Sequence, residues 1–147
     1  MYYLKQRSVI TQLILLAYAW SSCSFCYYMI GFLLKYLPGD IYDNTYAAQL
    51  SEIIGFFLAS IIYAKLDLKP SFFLGYSIAI IGGILIIFVG DNHTELMPIF
   101  VIMAKFGICI SFQLVFIATI LCFPADFGGR AFGFCNFFSR GVSIGAP

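Results

Sequence analysis

"SFFLGYSIAIIGGILIIFVG", residues 71–90, runs from Ser71 to Gly90 without one charged side chain. A helix of this composition has no face to turn toward water. At 1.5 Å per residue it is long enough to cross a hydrocarbon core of about 30 Å. The stretch therefore reads as a membrane-spanning helix, and the flanks agree. Pro70 precedes it and suits the first helical position, where its missing N–H has no partner to lose. Beyond the flanks stand charged or polar clusters, "KLDLKP" on one side and "DNHTE" on the other.

Working outward, the same pattern recurs along the chain. Apolar residues make up 62% of the sequence and charged residues 10%, against roughly 45–50% and 25% in soluble domains. The fold class is all-α membrane protein, with helices expected at about 8–37, 46–63, 71–90, 97–123 and 130–147, the last incomplete. The segment "KYLPGDIYDN" supplies turn residues between the first two. The net charge of +1 points to no nucleic-acid partner, and the lipid bilayer is the partner that composition demands.

Loop charges give a direction. Lys5 and Arg7, Lys65 and Lys69, and Arg130 fall on one side if every helix spans, and Asp40, Asp43, Asp91 and Glu95 on the other with Lys35 alone. The basic side is expected to be cytoplasmic. Cys23 and Cys26 form a C-x-x-C in mid-helix, without a second pair at metal-ligand spacing, so small apolar packing is expected rather than a metal, cofactor or disulfide. Asn92 heads a glycosylation sequon, "NHT", expected to be unused in so short a loop, and His93 beside it is expected to be solvated.

Chemistry must come from the charges placed within the spans. Glu52, Lys105 and Arg140 each cost a few kcal/mol at the bilayer centre and should face protein or a water-filled cavity. Counting from the helix ends puts Glu52 about 10 Å in from the outside, Lys105 slightly deeper from that side, and Arg140 about 15 Å in from the cytoplasm. All three can reach one central cavity. Lys105 is expected to pair with Glu52 or with an anionic substrate group. The residue-71 helix carries no such charge and should be peripheral, packing by a small face that includes Gly82 and Gly83.

A resemblance then becomes visible. "WSSCSFCYYMIGFLLKYLPGDIYDNTYAAQLSE" (20–52), "AKFGICISFQLVFIATILCFP" (104–124) and "RAFGFCNFFSRGVSIGAP" (130–147) resemble the seventh and eighth, the tenth and the start of the eleventh helices of the organic cation/anion transporter family of the major facilitator superfamily. The resemblance implies part of a C-terminal six-helix half, a missing N-terminal half as partner, and a midplane substrate site between the halves. It places Tyr27, Tyr28, Glu52, Lys105 and Arg140 at that site, with a small organic ion as substrate. An arginine at the position of Arg140 is the family's choice for anions and zwitterions. Before the last helix the family motif E-x-x-P-T-x-x-R is altered: Leu121 replaces the acid and Ala125 the threonine, and Asp126 with Arg130 stands as a substitute gating latch.

The expected function is alternating-access transport of an organic anion or zwitterion across a membrane, with the plasma membrane favoured. The alternative is a non-transporting or truncated protein of the same fold acting through helix–helix contacts. An enzyme is not expected, since no H-E-x-x-H, G-x-S-x-G or acidic metal pair occurs.

Overall fold

The computed structural model describes residues 7–37, 40–89 and 94–145. It contains helices α1 (Arg7–Leu33), α2 (Ile41–Leu66), α3 (Leu68–Val89), α4 (Met97–Cys122) and α5 (Ala125–Ser143), with a 3-10 turn, Thr94–Leu96, leading into α4. The described residues form no strand. The protein is an all-α membrane protein, and α1 to α4 are long and apolar enough to cross a bilayer. Lys5, Asp91, Asn92 and His93 lie outside the described residues, as do Pro38 and Gly39.

Several helix ends differ from the sequence reading, each for a local reason. The first helix stops at Leu33, not 37, and residues 34–36 turn away, with Tyr36 N donating to Leu33 O at 2.8 Å. Pro38 follows and disfavours helix in the residue before it. The second begins at Ile41, not 46, because Asp40 is its N-cap: the Asp40 carboxylate accepts from Tyr42 N at 2.8 Å. Asp43 then lies in the first turn, where an acid complements the helix dipole. Residues read as a turn are thus the start of a helix. At the other end α2 continues past Tyr63 to Leu66, with Lys65 favourably placed in its last turn.

The "KLDLKP" turn shrinks to one residue, Asp67, at φ 61° and ψ 176°. Helix α3 starts at Leu68 rather than 71, so Pro70 is its third residue, still among the four whose N–H has no helical acceptor. Helix α5 starts at Ala125, not near 130: Pro124, extended at φ −62° and ψ 154°, lets its carbonyl accept from Phe127 N and Gly128 N at 2.9 and 2.8 Å. Asp126 occupies the first turn, and the glycines at 128 and 129 are carried within the helix instead of breaking it.

Helix α4 is the hub, packing against all four others. Its most apolar stretch is 61% buried within the bundle, against 17% for α3, whose Phe73, Ile80, Ile87 and Phe88 point outward. The α3–α4 seam is set by size. A Cβ added at Gly82 would stand 2.4 Å from Ala104 N, and one at Gly107 would stand 2.4 Å from Ala79 N. Backbones this close gain dispersion contact that larger residues would forfeit, which matters where lipid removes the hydrophobic driving force between helices. Gly82 thus belongs to the packing face as expected, but Gly83 does not: a Cβ there meets nothing within 4 Å.

Helix α1 is fixed by polar pins as well as packing. Trp20 Nε1 donates to Thr119 Oγ1 on α4 at 3.0 Å, and Ser24 and Ser139 hydroxyls meet at 3.2 Å between α1 and α5. Each such bond contributes about 0.6 kcal/mol in a membrane bundle. Phe112, Phe116 and Phe132 set their rings around Trp20 at 5.8, 4.6 and 5.3 Å.

Candidate functional site

Three helices converge on one buried cluster. Tyr27 comes from the last third of α1, Glu52 from the middle of α2, and Lys105 from the third turn of α4. Tyr27 Oη donates to Glu52 Oε1 at 2.6 Å. Lys105 Nζ lies 3.8 Å from Glu52 Oε2 and 3.3 Å from the centre of the Tyr27 ring. The 3.8 Å contact is Coulombic and not a hydrogen bond, and Glu52 Oε2 indeed accepts none. The lysine and carboxylate side chains are 5% and 20% exposed.

Attraction and desolvation oppose each other in this cluster. Unit charges about 4 Å apart attract by about 4 kcal/mol at an effective dielectric near 20. Withdrawing each from water costs several kcal/mol. The attraction alone therefore falls short of the two desolvation costs, and the tyrosine offsets part of the difference: its hydroxyl bonds the anion while its ring face carries the cation. Glu52 and Lys105, 53 residues apart, are among the partners the sequence reading offered each other, and the structure brings them together.

Arg140 stands differently. It is exposed on α5, its Nη1 donates to Tyr28 Oη, and its guanidinium carbon lies 5.4 Å from the centre of the Tyr28 ring. Its Nε reaches Asn136 Oδ1 at 3.4 Å. No acid pairs with it among the described residues. The two cations are linked through neighbouring rings, since Tyr27 and Tyr28 meet edge to face at 5.5 Å. Asn136 was missed by sequence reasoning. Its position four residues before Arg140, one helical turn, is the signal that could have found it.

Asp126 and Arg130 are both exposed near the start of α5 and are not joined by an ion pair. All five cysteines are thiols; Cys23 is buried with its sulfur 3.0 Å from Tyr76 Oη, and Cys26 is half-buried. The larger grooves lie away from the charges. One of about 340 Å³ separates α1 from α3 over Ala104 and Ile108, one of about 450 Å³ lies between α1 and α5, and one of about 380 Å³ opens between Thr119 and Gly129. The walls of the first two are almost wholly apolar and those of the third mostly so, which suits contact with lipid or another helix more than recognition of an ion.

No family model matches the chain, and no solved structure matches it. Among curated proteins, mouse "Solute carrier family 22 member 4" is 26% identical over 149 residues, covering 97% of this chain and 26% of that protein. The chain thus spans about a quarter of the length of the curated relative it matches.

Proposed function

We propose that this chain is part of a transporter that carries small organic ions bearing a negative group, anions or zwitterions, across a membrane by alternating access, and that Arg140 binds that group. One observation carries the reading: Arg140 is an exposed guanidinium on α5 whose partners, Tyr28 and Asn136, are both neutral. A permanent cation in a low-dielectric site, with no acid to balance it, is a seat for a carboxylate, sulfonate or phosphate, which it can grip with two parallel N–H bonds. Similarity to a solute carrier over nearly the whole chain supports the same reading.

On this reading the five helices are most of a C-terminal half of a major facilitator-type protein. A second six-helix half closes over the Arg140 face, and the substrate sits at the midplane between them. Asp126 and Arg130, at the cytoplasmic start of α5, are assigned to the gate. The N-terminal flank and Asp67 face the cytoplasm of a plasma-membrane protein, and Asp43 faces outward.

Initial uptake of a labelled aromatic carboxylate by full-length protein in vesicles tests the proposal. Arg140→Met should lower uptake at least tenfold at equal protein level. Uptake unchanged by that variant would overturn the assignment. For orientation, a lone cysteine placed by Asp43→Cys in a cysteine-free background should react with an impermeant reagent from outside; reaction only after permeabilisation reverses the topology.

A further inference from the structure

We infer that Glu52 is the specificity-determining residue that sets the charge of the substrate: by cancelling Lys105 it leaves one net positive charge at the site and matches it to organic monoanions over dianions and zwitterions. This rests on the assignment of Arg140 as the anion seat. It adds what that assignment leaves open, namely how many charges the ligand carries.

The groups that could hold a second substrate charge are already engaged. A zwitterion needs a carboxylate or an aromatic face for its cationic end. Among the described residues the carboxylate inside the bundle is Glu52: its Oε1 accepts from the Tyr27 hydroxyl at 2.6 Å, and its Oε2, which accepts no hydrogen bond, faces the Lys105 charge at 3.8 Å. The Tyr27 ring has Lys105 standing 3.3 Å from its centre, and the Tyr28 ring has the Arg140 guanidinium at 5.4 Å. A substrate ammonium would have to displace a buried lysine from its own counter-ion. A dianion meets the opposite obstacle. Among the described residues of this chain, two cations against one carboxylate inside the bundle leave a single positive charge, and the partner this chain offers a second negative group is Lys105, which is 95% buried and faces Glu52. Unmatched charge at this depth is expensive in either direction. Glu52 does not touch the substrate on this account; it acts by holding Lys105 and Tyr27.

The test uses one ring scaffold in three charge states, benzoate, a benzene dicarboxylate and a trimethylammonio-benzoate, with kcat/KM for uptake measured on full-length protein in vesicles. Wild type should prefer benzoate to each of the others at least tenfold. Glu52→Gln keeps an acceptor for Tyr27 but releases the charge of Lys105, and should move the ratio toward the dicarboxylate at least tenfold. Lys105→Met releases Glu52 and should move it toward the zwitterion by a similar factor. The double variant Glu52→Gln/Lys105→Met holds no unpaired buried charge and should return the ratio to that of wild type. A merely structural role would lower uptake of all three substrates alike and leave the ratios where they were. Ratios within twofold of wild type in all the variants, while Arg140→Met still abolishes benzoate uptake, overturn the role of Glu52 and leave the Arg140 assignment standing. Wild-type protein that carries none of the three, or an Arg140→Met variant that carries benzoate normally, overturns both.

Discussion

Two cations in this bundle rest against adjacent tyrosines, and they have opposite surroundings. Lys105 is buried on the hub helix, held by Glu52 and the ring of Tyr27. Arg140 is exposed on α5, held by Tyr28 and Asn136, neither of which is charged. The glycines nearby repeat the contrast. Two residues from Lys105, Gly107 has no room for a Cβ, whereas at Gly133 and Gly141 on the Arg140 side a Cβ meets nothing within 4 Å. The difference separates structure from function more cleanly than residue type does. One cation completes the fold's own electrostatics, and the other is left with a charge that the described part of the chain does not answer.

The contrast can be broken most directly by removing each cation. Lys105→Ala leaves a buried carboxylate without its counter-ion and should lower stability by about 3–5 kcal/mol. Arg140→Ala removes an exposed group and should stay within about 0.5 kcal/mol of wild type. Denaturant titration of the purified protein in detergent would read both, and equal losses would erase the distinction. The two tyrosines offer the next largest difference. Tyr27→Phe keeps the ring under Lys105 but removes the hydrogen bond to Glu52, and hydrogen bonds to charged groups contribute about 1.5–3 kcal/mol. Tyr28→Phe should cost about 0.5 kcal/mol or less in stability, since water can replace it at an exposed guanidinium, so its effect is expected in uptake and not in unfolding.

The glycines give the finest comparison. Gly107→Ala must push α3 away from α4, because the new methyl would stand 2.4 Å from Ala79 N and 2.5 Å from Gly75 O. Overpacking of this kind costs about 1–3 kcal/mol. Gly133→Ala enters open space and should gain up to about 1 kcal/mol from helix propensity alone. Opposite signs in thermal unfolding would sharpen the picture of one closed and one open neighbourhood; a destabilising Gly133→Ala would show that the α5 face is already covered.

Much of this was legible in the chain because a bilayer imposes a local rule. A span must be apolar over its own length and satisfy its own backbone, so the four long runs and the three embedded charges stand out one segment at a time. Helix ends were less legible because the same residues serve two purposes. Asp40, Asp43 and Asn44 read equally as a turn or as a cap and first turn, and the choice fell to the Asp40 carboxylate meeting Tyr42 N. In the same way the last helix was expected from about 130, and Pro124 sets its start upstream of Gly128 and Gly129.

The sequence by itself determined the class of protein and the four long apolar helices, and it set an expected depth for Glu52, Lys105 and Arg140, since hydropathy and rise per residue are properties of single helices. Only the tertiary structure decided which of the two cations Glu52 would neutralise. That choice depends on how α1, α2 and α4 are rotated against one another, and the rotation is fixed by contacts far apart in the chain, among them Gly55 on Cys109 and Trp20 on Thr119. With the helices so turned, Lys105 faces inward onto Glu52 and Arg140 faces out of the bundle, and no reading of either segment alone contains that fact.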